Sequence, residues 1–580
     1  ADGNKNCETQ CEMCGFEAPD RSFPAIWWYG EECLGGADCV ELEPAQLSVK
    51  ADNTLNEVLV VGPSLVAAGE EFSLKSALLD PFGNPILTGN RTLTVTFEAK
   101  SSSGNNESYT LSPNDGGWHD FDVRLDDPGI YRIRVTASTG EFGISNPIEV
   151  TDGEPPYRIY WGDIHTHHGY TFIDEGQRKD FNHDYGRDVV GLDVVSESIK
   201  ADGIEIDAQE LWSELQDSCT QYSVDGDYLV LLGFEWIGDD AARAKCGSAA
   251  KCSEGHHNIY YDGCGGPLAT QDVSQIDGLD GPKGLWTWLD LQRENTGLDA
   301  VSIPHAMRWT YFNFDIYYGP ANEKEDVEPG YPGVQTLVEI YSEWGDGTGD
   351  ASADGSVQQM VAKGHRVGWI GGSDNHDGWM GNPYSTQGVF GGDAAKSGLG
   401  AFLAPDLTRE DIFAAMKNRQ TYATGGSRPI IHFSVTDGTG DDAVTLHQGS
   451  ELVAEAPTLT WRYHGTATIQ SLRLFRQKVG ESASPVSLIV DEKTVLDNEG
   501  SLDLSEKSKS FLDGSLFWVE VLQTDGEKAW SSPIWLTSDC DRIELGAQDP
   551  LGLCDPIDTG DTGPQDTDPP EDTDTDVPGD

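Results

Sequence analysis

Residues 159–168 read IYWGDIHTHH. An apolar, strand-like run leads into Asp163, His165 and His167 within five positions. In an extended segment residues i and i+2 point the same way, so His165 and His167 can grip one ion. The same grammar recurs along the chain. LDVVSES (192–198) ends in Ser196, Glu197 and Ser198, and YLVLLGFEW (228–236) ends at Glu235. GHHNIYY (255–261) carries His256 and His257, AVSIPHAM (300–307) carries His305, and TLVEIYS (336–342) carries Glu339. VGWIGGSDNH (367–376) closes on Asp374 and His376. Helical patterns at 207–219, 284–295 and 354–364 lie between several of these runs, and a further one at 407–420 opens with Thr408 as N-cap and Asp411 three residues on. Strand, polar strand end, then helix, repeated, predicts a β/α barrel whose active groups collect at the C-terminal strand ends.

One His-x-His pair or one Asp-x-His turn is ordinary loop chemistry. Nearly every strand end delivering a His, Asp or Glu to one rim is not, and the set matches the ligands of Zn, Mn or Fe. A carboxylate such as Glu235 can bridge two ions, and two ions can clamp a phosphoryl oxygen. Arg308, Arg428 and Glu339 are the candidate substrate contacts, because guanidinium suits phosphate geometry. Asp163 is placed to orient a ligating imidazole. His119, His183, His365, His432, His447 and His464 lack this context and read as structural.

The motifs WGDIHTHH, LLGFEWIG, GHHNIYY, IPHAM, VEIYSEWG, GGSDNHDG and RQTYATGGSRPI, in this order across roughly residues 157–430, resemble the PHP (polymerase and histidinol phosphatase) superfamily, and more closely its DUF3604 branch. The resemblance implies a distorted seven-stranded β/α barrel holding two or three divalent ions and hydrolysing small-molecule phosphoesters. Carried over, one ion takes His165, His167, Glu235 and Asp374. A second shares Glu235 and takes His305 with His256 or its neighbour His257. Asp374, Glu235 and His376 are then the catalytic groups. Where the family commonly has Thr-Asp-His, this chain has Ser196-Glu197-Ser198, so the third site is either empty or built from carboxylates, Glu197 with or without Asp174, together with His376, a set that would favour Mn or Ca.

The 580 residues carry 99 acidic against 37 basic side chains, a formal charge of −62. That balance argues against nucleic acid, whose phosphates need Lys and Arg. Eleven cysteines, five of them in the first 39 residues, and a chain opening on Ala1 suggest a secreted, periplasmic or cell-surface protein. No apolar run reaches membrane-spanning length. The expected organisation is a Cys-rich segment (1–44), an Ig-like β-sandwich (45–152), the barrel (153–428), a second β-sandwich (429–554) and an acidic, Pro-rich tail (555–580) that could tether the chain to a surface.

Overall fold

The computed structural model describes residues 54–87, 91–97, 107–167, 182–200, 208–237, 256–269, 282–305, 333–349, 356–375, 379–382, 397–490, 495–538, 540, 547–551 and 553–554. The Cys-rich segment, the acidic tail, His376 and Arg308 lie outside them.

Residues 57–151 form small sheets around one core. Glu71–Leu79 pairs antiparallel with Glu57–Val61 and with Trp118–Arg124, and Arg91–Phe97 pairs with Ser108–Leu111 and Ile133–Ala137. Alternation decides what is buried: Val58 and Val60 face inward from one strand, Ile133 and Val135 from another, and they join a single apolar cluster.

The central unit begins with β1 (Arg158–Thr166), β2 (Val194–Lys200), α1 (Ala208–Tyr222), β3 (Gly233–Ile237) and β4 (His256–Tyr261). It continues through α2 (Pro282–Thr296), β5 (Ala300–His305), β6 (Leu337–Ser342), α3 (Val357–Ala362), β7 (Gly368–Gly371), β8 (Leu399–Ala404), α4 (Arg409–Lys417) and β9 (Thr421–Thr424). Thr408 caps α4 by accepting from the Asp411 backbone N–H at 3.1 Å. A disulfide joins Cys219 of α1 to Cys264 just after β4, and a second joins Cys540 to Cys554.

The barrel expectation fails here. β1 and β2 pair in parallel, as do β2 and β3, but β4 runs antiparallel to both β3 and β5, and β8 antiparallel to both β1 and β9. A β/α barrel needs every strand parallel with a helix in each crossover. Instead the order β5-β4-β3-β2-β1-β8-β9 continues through Lys528–Ser531 and Ser515–Gln523, so one mixed fourteen-stranded sheet links the central unit to the C-terminal strands. β6 and β7 pair in a separate three-stranded sheet. The molecule is a set of β-rich sheets with few helices. Apolar runs reveal buried strands whichever way they point, which is why a parallel barrel could be read into them.

The modules meet through a buried polar chain. Tyr157 Oη lies 2.6 Å from His432 Nδ1, His432 Nε2 lies 2.6 Å from Glu149 Oε2, and Arg462 Nη1 donates to Glu149 Oε1 at 2.7 Å. Burial pushes the Glu149 carboxyl up, but His432 and Arg462 outweigh it and hold the group at about 2. Burial also lowers the His432 imidazole. A depressed carboxylate contributes stability that is complete above its usual value of 4.5 and is lost as pH falls towards 2. A depressed imidazole likewise resists folding once its unfolded form protonates below 6.5. The unfolding midpoint should therefore fall on acidification from neutral pH. Calorimetry of Glu149→Gln should show a lower midpoint at neutral pH and a shallower fall below pH 4.5; a parallel curve would remove Glu149 from this role.

Candidate metal centre

β1 carries His165 to its end, and the 373–375 segment runs beside it. The Asp374 N–H donates to the His165 carbonyl at 2.7 Å, and the His167 N–H donates to the Asn375 carbonyl at 2.8 Å. Asp374 sits at φ +53°, a left-handed conformation that costs a non-glycine residue energy and is kept by these bonds. Gly372 has a different reason. A Cβ there would fall 2.7 Å from Glu339 Oε2 and 2.9 Å from His165 Cβ, so the Gly-Ser-Asp turn can press against the site only without a side chain.

Side chains from β1 and the residue just after it, from β3, β4 and β5, and from the 373–375 turn then converge. His165 Nε2 and His167 Nε2 lie 3.3 and 3.0 Å from Asp374 Oδ1. Glu235, at the middle of β3, faces His167 through Oε2 at 3.3 Å and faces His256 Nδ1 and His305 Nε2 through Oε1 at 2.6 and 3.1 Å. The His165 and His305 rings are 4.3 Å apart. Two compact donor triads result, His165-Glu235-His305 and His165-His167-Asp374, each with its ligand atoms within 4.8 Å of one another and every member buried.

The donor set fits divalent ions. His165 Nε2 and Glu235 Oε2 are fully buried without a hydrogen-bond partner, although each lies within ion-pair range of an opposing group. Buried polar atoms of this kind are costly unless something else binds them. Electrostatics agrees. Burial raises the Glu235 and Asp374 carboxyls, yet the facing imidazoles overcome it and hold both well below the carboxylate range. Burial disfavours a charged His165, yet Asp374, Glu339 and Glu235 raise it to about 10. The carboxylates that favour a proton on His165 favour equally a cation in its place.

β4 alternation separates the adjacent histidines. His256 faces Glu235, whereas His257 is on the opposite face, against Trp236 and the Trp286 ring of α2, with burial lowering its imidazole. Glu339 is not spare: its Oε2 lies 2.8 Å from His165 Nδ1, the arrangement by which a carboxylate fixes a ligand's tautomer. Asp163 is buried too, and it accepts backbone N–H groups, from Ser373 at 2.9 Å and Gly381 at 2.9 Å. Glu197 accepts from Asn182 at 3.1 Å and is in neither triad. Arg428 is buried, donates to the Val190 carbonyl at 2.8 Å, faces the Asp193 charge and is in neither triad.

One residue escaped the sequence reading. Asn258 lies two positions after His256 on β4, directly across from Glu235, and both polar atoms of its buried amide lack partners. The i+2 spacing from His256 was the available signal.

Replacing Glu339 with Ala should weaken metal affinity about 10- to 100-fold, the usual cost of losing a ligand's carboxylate support. Chelator competition would measure it, and an unchanged affinity would refute the orienting role.

Residues 363–451 match the family model described as a protein of unknown function (DUF3604), a span that includes Asp374 and Arg428. The chain is 23% identical over 520 residues to an uncharacterised protein of Chlamydia pneumoniae, covering 83% of this chain and 74% of that one. A Chlamydia trachomatis relative, also uncharacterised, is 22% identical over 522 residues with the same coverage. Among solved structures, a two-domain Bacteroides vulgatus protein containing a predicted PHP-like metal-dependent phosphoesterase is similar over 66% of this chain and 97% of its own, at 14% identity and a TM-score of 0.29. The chain is therefore similar, over residues 363–451, to the DUF3604 family model, and over most of its length to uncharacterised chlamydial proteins.

Proposed function

We propose that the protein is an exported, metal-dependent hydrolase of phosphoric esters. The observation that carries the reading is the convergence of buried His165, His167, Glu235, His305 and Asp374, with His165 Nε2 and Glu235 Oε2 left unbonded at the centre. Divalent ions bound there supply Lewis acidity, which makes water nucleophilic near neutral pH and takes up charge on phosphoryl oxygens. His165, His167 and Asp374 would hold one ion, and Glu235, His305 and His256 another. Glu235 stands between the groups with one oxygen toward each. Glu339 accepts from His165 Nδ1 and so leaves Nε2 free to ligate. The unpartnered Asn258 amide offers a donor to a substrate oxygen. Two disulfides support an oxidising compartment, and no helix among the described residues is long and apolar enough to cross a membrane.

The test combines metal quantification on the purified chain with phosphomonoester, phosphodiester and sulfate-ester chromogens. We expect bound Zn, Mn or Fe, and turnover of a phosphoester that collapses in His165→Ala. Absence of a transition metal, or unchanged turnover in the variant, would reject the reading.

A further inference from the structure

A cavity of about 150 Å³ opens where the N-terminal module, the Pro155-Pro156 connector and the C-terminal sheet meet. Its floor follows from strand register. Strand Ile430–Asp437 pairs with Val444–His447 on one side and Thr458–His464 on the other. Ser434 stands opposite both His447 and Thr460, and His432 stands opposite Arg462. Alternation sends Ile431, Phe433 and Val435 into the core, so the intervening residues form a polar face. A strand face covered by another module is ordinarily apolar; this one is not.

The polar groups divide into two sets. Tyr157, His432 and Glu149 satisfy one another, and Arg462 spends one N–H on Glu149. His447, Ser434 and Thr460 make no side-chain hydrogen bond among the described residues, although all three line the cavity. The His447 ring meets Tyr157 edge-on at 4.8 Å, and burial together with His432 disfavours its protonation. A neutral imidazole offers one donor and one acceptor, and each hydroxyl offers both.

Size and charge then select the ligand. A cavity of about 150 Å³ is the size that encloses a benzene ring, so a sugar would seat one face of its ring here and leave its other hydroxyls in the opening. An apolar ring would strand His447 and the hydroxyls. An anion would meet the Glu149 carboxylate, whose charge already balances Arg462, inside a chain of formal charge −62. A ring that alternates donors and acceptors and has apolar faces for Leu65 and Pro155 satisfies every wall. We infer that this junction binds one pyranose unit of a neutral saccharide, at a site separate from the metal centre.

Methyl glycosides of glucose, galactose, mannose and N-acetylglucosamine, titrated into the full chain and followed by ligand-observed NMR and calorimetry, test this. At least one should bind with 1:1 stoichiometry. His447→Phe, which keeps the ring packing against Tyr157, and Ser434→Ala should each weaken it at least tenfold. Neither side chain has a protein hydrogen bond to lose, so both variants should fold. Asp374→Asn, in the metal centre, should bind the glycoside as the parent does. Absence of binding by all four, equal binding in both variants, or displacement by inorganic sulfate or benzoate at lower concentration would overturn the inference.

Discussion

On the proposed phosphoesterase reading, Glu235→Gln should remove at least one ion per chain and lower turnover about 10³-fold or more, equivalent to ~4 kcal/mol of barrier. The residue is 1% exposed and, among the described residues, is the one group that contacts His167, His256 and His305 together. Glutamine fills the same volume, so the packing around β3 survives. It carries no charge, and its amide N–H₂ would face imidazole nitrogens that now see carboxylate oxygens. Both changes oppose a cation. The control is His257→Leu, one position along β4 from a proposed ligand but packed against Trp286. It should keep its metal and most of its turnover. Full metal content in Glu235→Gln, or equal losses in the two variants, would mean that Glu235 is not the shared ligand.

The donor residues were legible because each chemistry is local. His165-Thr166-His167 places two imidazoles on one side of a strand end whatever the strand pairs with. Strand direction was not legible. VSIPH and HHNIYY read as buried runs in either orientation, and only the pairing of His256 with His305 reveals that β4 and β5 are antiparallel. The distant partners of single residues were not legible either. Arg428 suits a phosphate by its chemistry, and nothing local shows that one of its N–H groups goes to the Val190 carbonyl, 238 positions away. Glu339 looked like a substrate contact because nothing in its neighbourhood shows that His165 lies 2.8 Å away.

Asp163→Ala should cost about 2–6 kcal/mol of stability and carry the metal centre down with it. The carboxylate is fully buried, and burial pushes it up to about 6 despite the bonds it accepts. Those bonds come from the backbone: Ser373 N–H at 2.9 Å, Gly381 N–H at 2.9 Å and His165 N–H at a longer 3.4 Å. Alanine leaves at least two buried donors unpaired, each worth about 1–3 kcal/mol. Total stability is only about 5–15 kcal/mol for a typical domain, so the loss is large. It also removes the brace on Ser373, the residue before Asp374, whose left-handed backbone depends on neighbours to hold it. Asparagine separates the two effects. Its oxygen can still accept from Ser373, but its N–H₂ would meet the Gly381 donor, so it should fall between parent and alanine. Urea unfolding and metal content measured on all three should rank parent, Asn, Ala in both quantities. A loss under about 0.5 kcal/mol in the alanine variant, the range of ordinary surface changes, would show that Asp163 does not hold β1 to the turn that presents Asp374.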